Sequence, residues 1–129
     1  MALIFLIARI VLGLYWLQVA YNHLFKSAGL VGYAQMKGVK SPKTAIIGSG
    51  LLALFGALSI ILGIWTVYGI IALALFLVGV SFKMHPHWKV EDPMQKMSEH
   101  VNFTKNIALA AAILALMAVP LPWVYSIHW

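Results

Sequence analysis

Residues Thr44–Lys83 read TAIIGSGLLALFGALSIILGIWTVYGIIALALFLVGVSFK, two apolar runs with no charge before Lys83, joined at Gly63-Ile64-Trp65-Thr66. Each run approaches the ~20 residues that an α-helix needs to cross the hydrocarbon of a bilayer. A junction this short forces the two helices into an antiparallel hairpin, with Gly63 ending one and Thr66 able to cap the next. Ala45, Ser49, Ala53 and Ala57 recur every four residues in the first run, and Ser59 and Gly63 continue the series on a nearby face. Such a ridge of small side chains lets another backbone approach closely, so this helix is expected to pack on the first or the fourth.

Working outward, Ala2–His23 and Ile107 to about Val124 are equally apolar. The whole chain of 129 residues is 63% hydrophobic and 9% charged, far from the roughly one-quarter charged of soluble domains. The pattern predicts an all-α membrane protein, one domain over residues 1–129, folded as a four-transmembrane-helix antiparallel bundle with helices at about 2–24, 42–64, 66–85 and 93–119. The first segment is too long for the apolar region of a cleavable leader and is expected to stay as a helix.

The formal net charge of +6 comes from dispersed lysines. They form no basic stripe on a soluble face, which argues against a nucleic-acid partner. Lys26, Lys37, Lys40 and Lys43 lie between the first two apolar helices, and Lys83, Lys89, Lys96 and Lys105 between the last two. By the positive-inside bias, both lysine loops face the cytoplasm and both termini face out, an N-out/C-out topology in a prokaryotic cytoplasmic (inner) membrane. The chain has no cysteine, so thiol and thiolate-metal chemistry within it is excluded, and a redox role requires a bound cofactor or a partner.

In the first helix Tyr15, Gln18 and Asn22 share one face, and Arg9, Trp16 and His23 a neighbouring one, with Gly13 beside them. Faces this polar are expected to turn from lipid; Arg9 either reaches the outer surface or points into the bundle. Lys26 to Ser41, with three glycines, reads as a loop. Ser41-Pro42 and Asp92-Pro93-Met94-Gln95 read as helix starts, the latter as a capping box. Pro86 should stop the third helix near Met84 or His85. In the fourth, Met94, Met97 and Val101 are expected on the inner face, with Ala108 and Ala112 on one packing line and Ala111 and Ala115 on another. Trp65 and Tyr68, then Trp123, Tyr125 and Trp129 beyond Pro120 and Pro122, are expected as outer aromatic anchors.

Chemistry concentrates between Ser81 and Asn106, which holds all three acidic residues, Glu91, Asp92 and Glu99, and three of the five histidines. The connectivity brings His23, His85 and Asn106 to one membrane level, where unpaired polar groups would be costly and should find one another or a ligand. His23, His85, Trp88 and Asn106 are therefore the candidate pocket, with Arg9, Glu99 and Lys105 in support. Three readings of these residues stay open. His23 with His85, or His85 with His87, could hold haem or a metal, although His85-Pro86-His87 lacks helical ligand spacing, and no metal site is assigned. The imidazoles and amide could hold a quinone headgroup beneath Trp88. His85, Glu99, Lys105 and Asn106 could simply tie two helices together.

The run Phe82-Lys83-Met84-His85-Pro86-His87-Trp88, then Asp92-Pro93, Glu99 and Asn102-Phe103-Thr104-Lys105-Asn106, resembles the DoxX family of small four-helix membrane proteins. The likeness extends to Arg9 and Gly13, Asn22-His23, Gly38-Val39 and Gly50–Gly63. Where many members carry a glutamate in the second helix this chain has Ala53, and where they carry a lysine near the end of the first it has His23. The resemblance implies an accessory or anchoring membrane subunit of a quinone-linked oxidoreductase assembly, with protein subunits or further copies of itself as partners, not an enzyme on its own. Two alternatives remain: a quinone- or haem-binding oxidoreductase in its own right, and a structural helper of another membrane complex. A solute transporter ranks last, since the second, third and fourth helices carry no charge in their cores.

Overall fold

The computed structural model describes residues 1–127, and among these it is helical with no strand. Five α-helices follow one another: α1 Ala2–Phe25, α2 Ala28–Met36, α3 Pro42–Leu62, α4 Thr66–Met84 and α5 Pro93–Ala115. α1, α3, α4 and α5 are each long and apolar enough to cross a membrane. α2 is the departure from expectation. Leu30, Tyr33 and Ala34, with Lys37 at the C-cap, follow helical spacing, and Ala34 is fully buried. Gly38, at φ +75°, ends it, with the Val39 N–H donating to the Ala34 carbonyl, a left-handed exit that glycine adopts without steric cost.

α1 packs on α3, α3 on α4 and α4 on α5, while α2 lies against α3. The small residues make this possible. A side chain at Gly13 would strike Ile61, one at Gly56 would strike Leu73, and one at Gly69 would strike Ser59. Ala53 and Ala57 are fully buried, so this part of the α3 ridge does face the bundle, where α3 packs on α1 and not on α5, the fourth spanning helix. The core gathers Trp16, Ile60, Leu73, Phe76, Ala110 and Ile113, with Trp16 edge-on to Phe76.

Several expectations about faces are corrected. Gln18 is exposed and Tyr15 half exposed at the edge of a cavity, because α1 buries its Gly13, Trp16 and Ala20 face instead. On α5 the inner face is Glu99, Ala110 and Ile113, and Met94, Met97 and Val101 are exposed. Ala108, Ala111, Ala112 and Ala115 are exposed as well. Trp123 is buried edge-on to Phe5 rather than anchored outside; Tyr125 is exposed, and Trp129 lies outside the described residues.

The helix starts divide in the same way. Asp92 caps α5, its carboxylate accepting the Gln95 N–H at 2.9 Å. Ser41 occupies the cap position of α3 without a side-chain cap bond. Thr66 does not cap α4; Trp65, in left-handed backbone at φ 47°, precedes the helix, and Thr66 is its first, buried residue.

Candidate functional site

Two polar centres occupy opposite ends of the bundle. At the end bearing Trp65, Arg9 is only 3% exposed and points into the protein. Its guanidinium donates from Nη2 to the Tyr125 carbonyl at 2.8 Å and from Nη1 to the Val124 carbonyl at 3.2 Å. The rings of Trp123 and Phe5 lie about 6 Å away, within range of cation–π attraction. Arg9 thus belongs to the fastening of the C-terminal segment and lies apart from the histidines.

The lysine-rich end carries the candidate site. Glu99, 6% exposed, is its hub. Oε1 accepts from Lys37 Nζ at 2.8 Å and Tyr33 Oη at 3.1 Å, and Oε2 from His85 Nδ1 at 2.6 Å. One carboxylate so joins α2, the end of α4 and α5. The environment shifts the α2 partners. Burial, then the adjacent Glu99, hold the Tyr33 phenol above its usual range. For Lys37 burial is the largest influence and acts downward, but the bond to Glu99 and the charges of Tyr33 and Glu99 together outweigh it, and the ammonium is held above its ordinary value.

His23, on the last turn of α1, reaches α3 because Gly50 leaves room: a Cβ there would lie 2.8 Å from that of His23. His23 Nδ1 is 2.9 Å from Ser49 Oγ and 3.3 Å from the Ile46 carbonyl. The Ser49 hydroxyl donates its only proton to Ile46 O. With the Ser49 hydroxyl so engaged and the Ile46 carbonyl also in reach, His23 is placed to donate from Nδ1, which leaves Nε2 as the acceptor of the neutral ring. His85 Nδ1 faces the Glu99 carboxylate and donates to it.

His23, His85, Asn106 and Tyr33 line one cavity of about 590 Å³ with mostly apolar walls, Trp16 and Phe76 among them. His85 and Asn106 thus share a cavity, although the bonded partner of His85 is Glu99. Trp88 is elsewhere, in an aromatic cluster with Phe82, His87 and Phe103. Lys105 is exposed, 3.5 Å from Asn102. Among the described residues, no three metal-ligating side chains gather. Sequence reasoning misses Tyr33 and Lys37, which lie in a stretch that reads as a loop, and Ser49, which reads as packing alone. The Leu30, Tyr33, Ala34, Lys37 spacing was the available signal for the first two.

The family model for DoxX matches residues 4–86, well over half of the chain. The chain belongs to the DoxX family. This DoxX protein is a small integral membrane protein, with four helices fit to span a bilayer. The DoxX match takes in His23, Tyr33, Lys37, Ser49 and His85, whereas Glu99 and Asn106 follow it. No curated protein and no solved structure matches the chain significantly.

Proposed function

We propose that this DoxX protein is an accessory membrane subunit of a quinone-linked redox assembly and holds a quinone-type headgroup, in its hydroquinone form, at the lysine-rich end. The observation that carries the reading is the cavity of about 590 Å³ shared by His23, His85 and Asn106. Its size and its few polar groups on apolar walls suit a small amphipathic ligand. With Nδ1 of each donating, the imidazoles in their neutral form offer Nε2 as acceptor, which fits the hydroxyls of a hydroquinone better than the carbonyls of a quinone. Asn106 can donate or accept and serves either ring oxygen.

The topology proposed with it is N-out/C-out and antiparallel, in a prokaryotic cytoplasmic membrane. Gly13 meets Ile61 while His23 meets Ser49, which supports opposed directions for α1 and α3. The eight lysines gathered at one end support a cytoplasmic placement of that end.

The test is capture from native membranes in mild detergent, with the extracted quinones and co-purifying subunits identified, followed by binding of one ring compound in its reduced and oxidised forms. Tighter binding of the reduced form, lost in Asn106→Leu with folding intact, is expected. Absence of quinone and of redox subunits, or equal affinity for both forms, overturns the reading.

The Glu99 hub favours a second reading, in which the polar groups only tie helices. It predicts that His85→Ala lowers stability and assembly together, whereas Asn106→Leu changes neither.

A further inference from the structure

Two glycines of the spanning helices are not explained by packing. At Gly13, Gly50, Gly56 and Gly69 an added Cβ would strike Ile61, His23, Leu73 and Ser59, so these four serve close helix approach. At Gly48 of α3 and Gly79 of α4 nothing lies within 4 Å of that position. Both sit inside helices with ordinary backbone, where glycine is less favourable than alanine. Both are exposed, and both line the cavity that His23, His85 and Asn106 share. The missing side chains leave room at its rim.

That rim lies deep in the membrane. Leu52 and Leu75 are the middle residues of α3 and α4, and both line the cavity while 39% and 63% exposed. Leu75 stands nine residues before Met84 at the end of α4, about 14 Å at 1.5 Å per residue. Tyr15 of α1, half exposed, adds to the edge eight residues before His23, about 12 Å along its helix. With ~30 Å of hydrocarbon across a bilayer, exposed side chains at mid-helix face acyl chains and not water. The polar groups lie at the other end, where Glu99 gathers Lys37, Tyr33 and His85. The cavity therefore runs from a polar end among the lysines to an apolar mouth at the middle of the bilayer.

We propose that this mouth is a lateral portal, and that the ligand is a membrane-dissolved ring compound whose long apolar tail lies along Gly48, Leu52, Leu75 and Gly79 while its ring occupies the polar end. The inference rests on the headgroup reading above and adds the rest of the ligand and its route of entry. A water-borne molecule would have to cross hydrocarbon to use such a mouth, whereas one already dissolved there enters sideways. Charge selects a neutral ring over a phospholipid. Glu99 places a carboxylate behind His85, Lys37 is committed to that carboxylate at 2.8 Å, and Lys83, the one lysine lining the cavity among the described residues, is exposed. A phosphate at the polar end would meet the carboxylate with no buried cation left to balance it.

The test is binding of one hydroquinone ring, with and without a decyl chain, to the protein in nanodiscs. The wild type is expected to hold the tailed compound several-fold tighter, and Gly48→Leu and Gly79→Leu to bring that ratio toward unity with the melting temperature retained. Partition of the tail into the bilayer is common to all variants, so a change in the ratio belongs to the protein. A diazirine at the tip of the chain should, on illumination, label the segments holding Leu52 and Leu75, and the unmodified tailed compound should compete. Equal affinities in the wild type, a ratio unmoved by both variants, or labelling away from these segments overturns the portal and leaves the ring site standing. Binding of neither compound overturns both, and a co-purified phospholipid that the tailed compound cannot displace overturns the proposal in favour of bulk lipid.

Discussion

The Glu99 carboxylate of α5 meets the His85 imidazole at the end of α4 at 2.6 Å, Oε2 to Nδ1, while its other oxygen holds Lys37 and Tyr33 of α2. A single acidic side chain thereby fixes the position of two elements that also wall the cavity. Because the carboxylate is largely removed from solvent, its partners are worth more than surface ion pairs, and losing one side leaves the others uncompensated.

Replacement of Glu99 by alanine is expected to cost about 3–5 kcal/mol, as for other partly buried charge networks broken from one side. Glu99→Gln, which keeps acceptor capacity, should cost less. Thermal unfolding in detergent ranks the two, and equal losses would show that neutral acceptor capacity contributes nothing at this hub, the charge carrying the whole effect.

Alkaline pH should loosen α2. Tyr33 and Lys37 both have folded pKa values raised above their ordinary values. A raised folded value means that the native state retains protons the unfolded chain has released. The contribution is thus complete at neutral pH and disappears as pH climbs past about 10. The melting temperature followed through that range should fall, and Tyr33→Phe with Lys37→Met should flatten the fall.

Ala53 is fully enclosed on α3. Ala53→Leu should destabilise the protein by ~1–3 kcal/mol through overpacking. A comparable insertion at the exposed Ala112 is the control, and thermal unfolding of both variants compares them.

Arg9→Lys should release the C-terminal segment despite keeping the charge, since one ammonium cannot reproduce the forked donation to Val124 and Tyr125. Limited proteolysis near Tyr125 is the measurement. Faster cleavage in Arg9→Lys, with α1–α5 still protected, is the expected result.

The spans were legible because uninterrupted apolar runs, Asp92-Pro93 and Pro86 are strong local signals, and the end of α4 and the start of α5 fell where these residues placed them, whereas α5 stops at Ala115, short of the expected 119. Faces were less so. In a membrane helix, apolar residues surround the whole cylinder, so hydrophobicity did not distinguish the inner Ala110 from the outer Ala111, nor the buried Trp123 from the exposed Tyr125. α2 was hidden by Gly29 and Gly32, which lower helix propensity but are tolerated where Ala34 is packed against the bundle. The depth of His23, His85 and Asn106 followed from connectivity alone. The pairing of Glu99 with α2 did not, since it depends on a helix the sequence had presented as loop.

The clasp between Arg9 and the carbonyls of Val124 and Tyr125 joins residues 115 and 116 positions apart. A ribosome adding ~5–20 residues per second needs roughly 6–23 s to cover that interval. Throughout it, α1 carries an intramembrane guanidinium whose final acceptors have not been synthesised. Biogenesis must shelter that cation with lipid phosphate, water or an insertase until translation reaches the clasp, so the four spans are in place before the charge on the first of them has its protein partners.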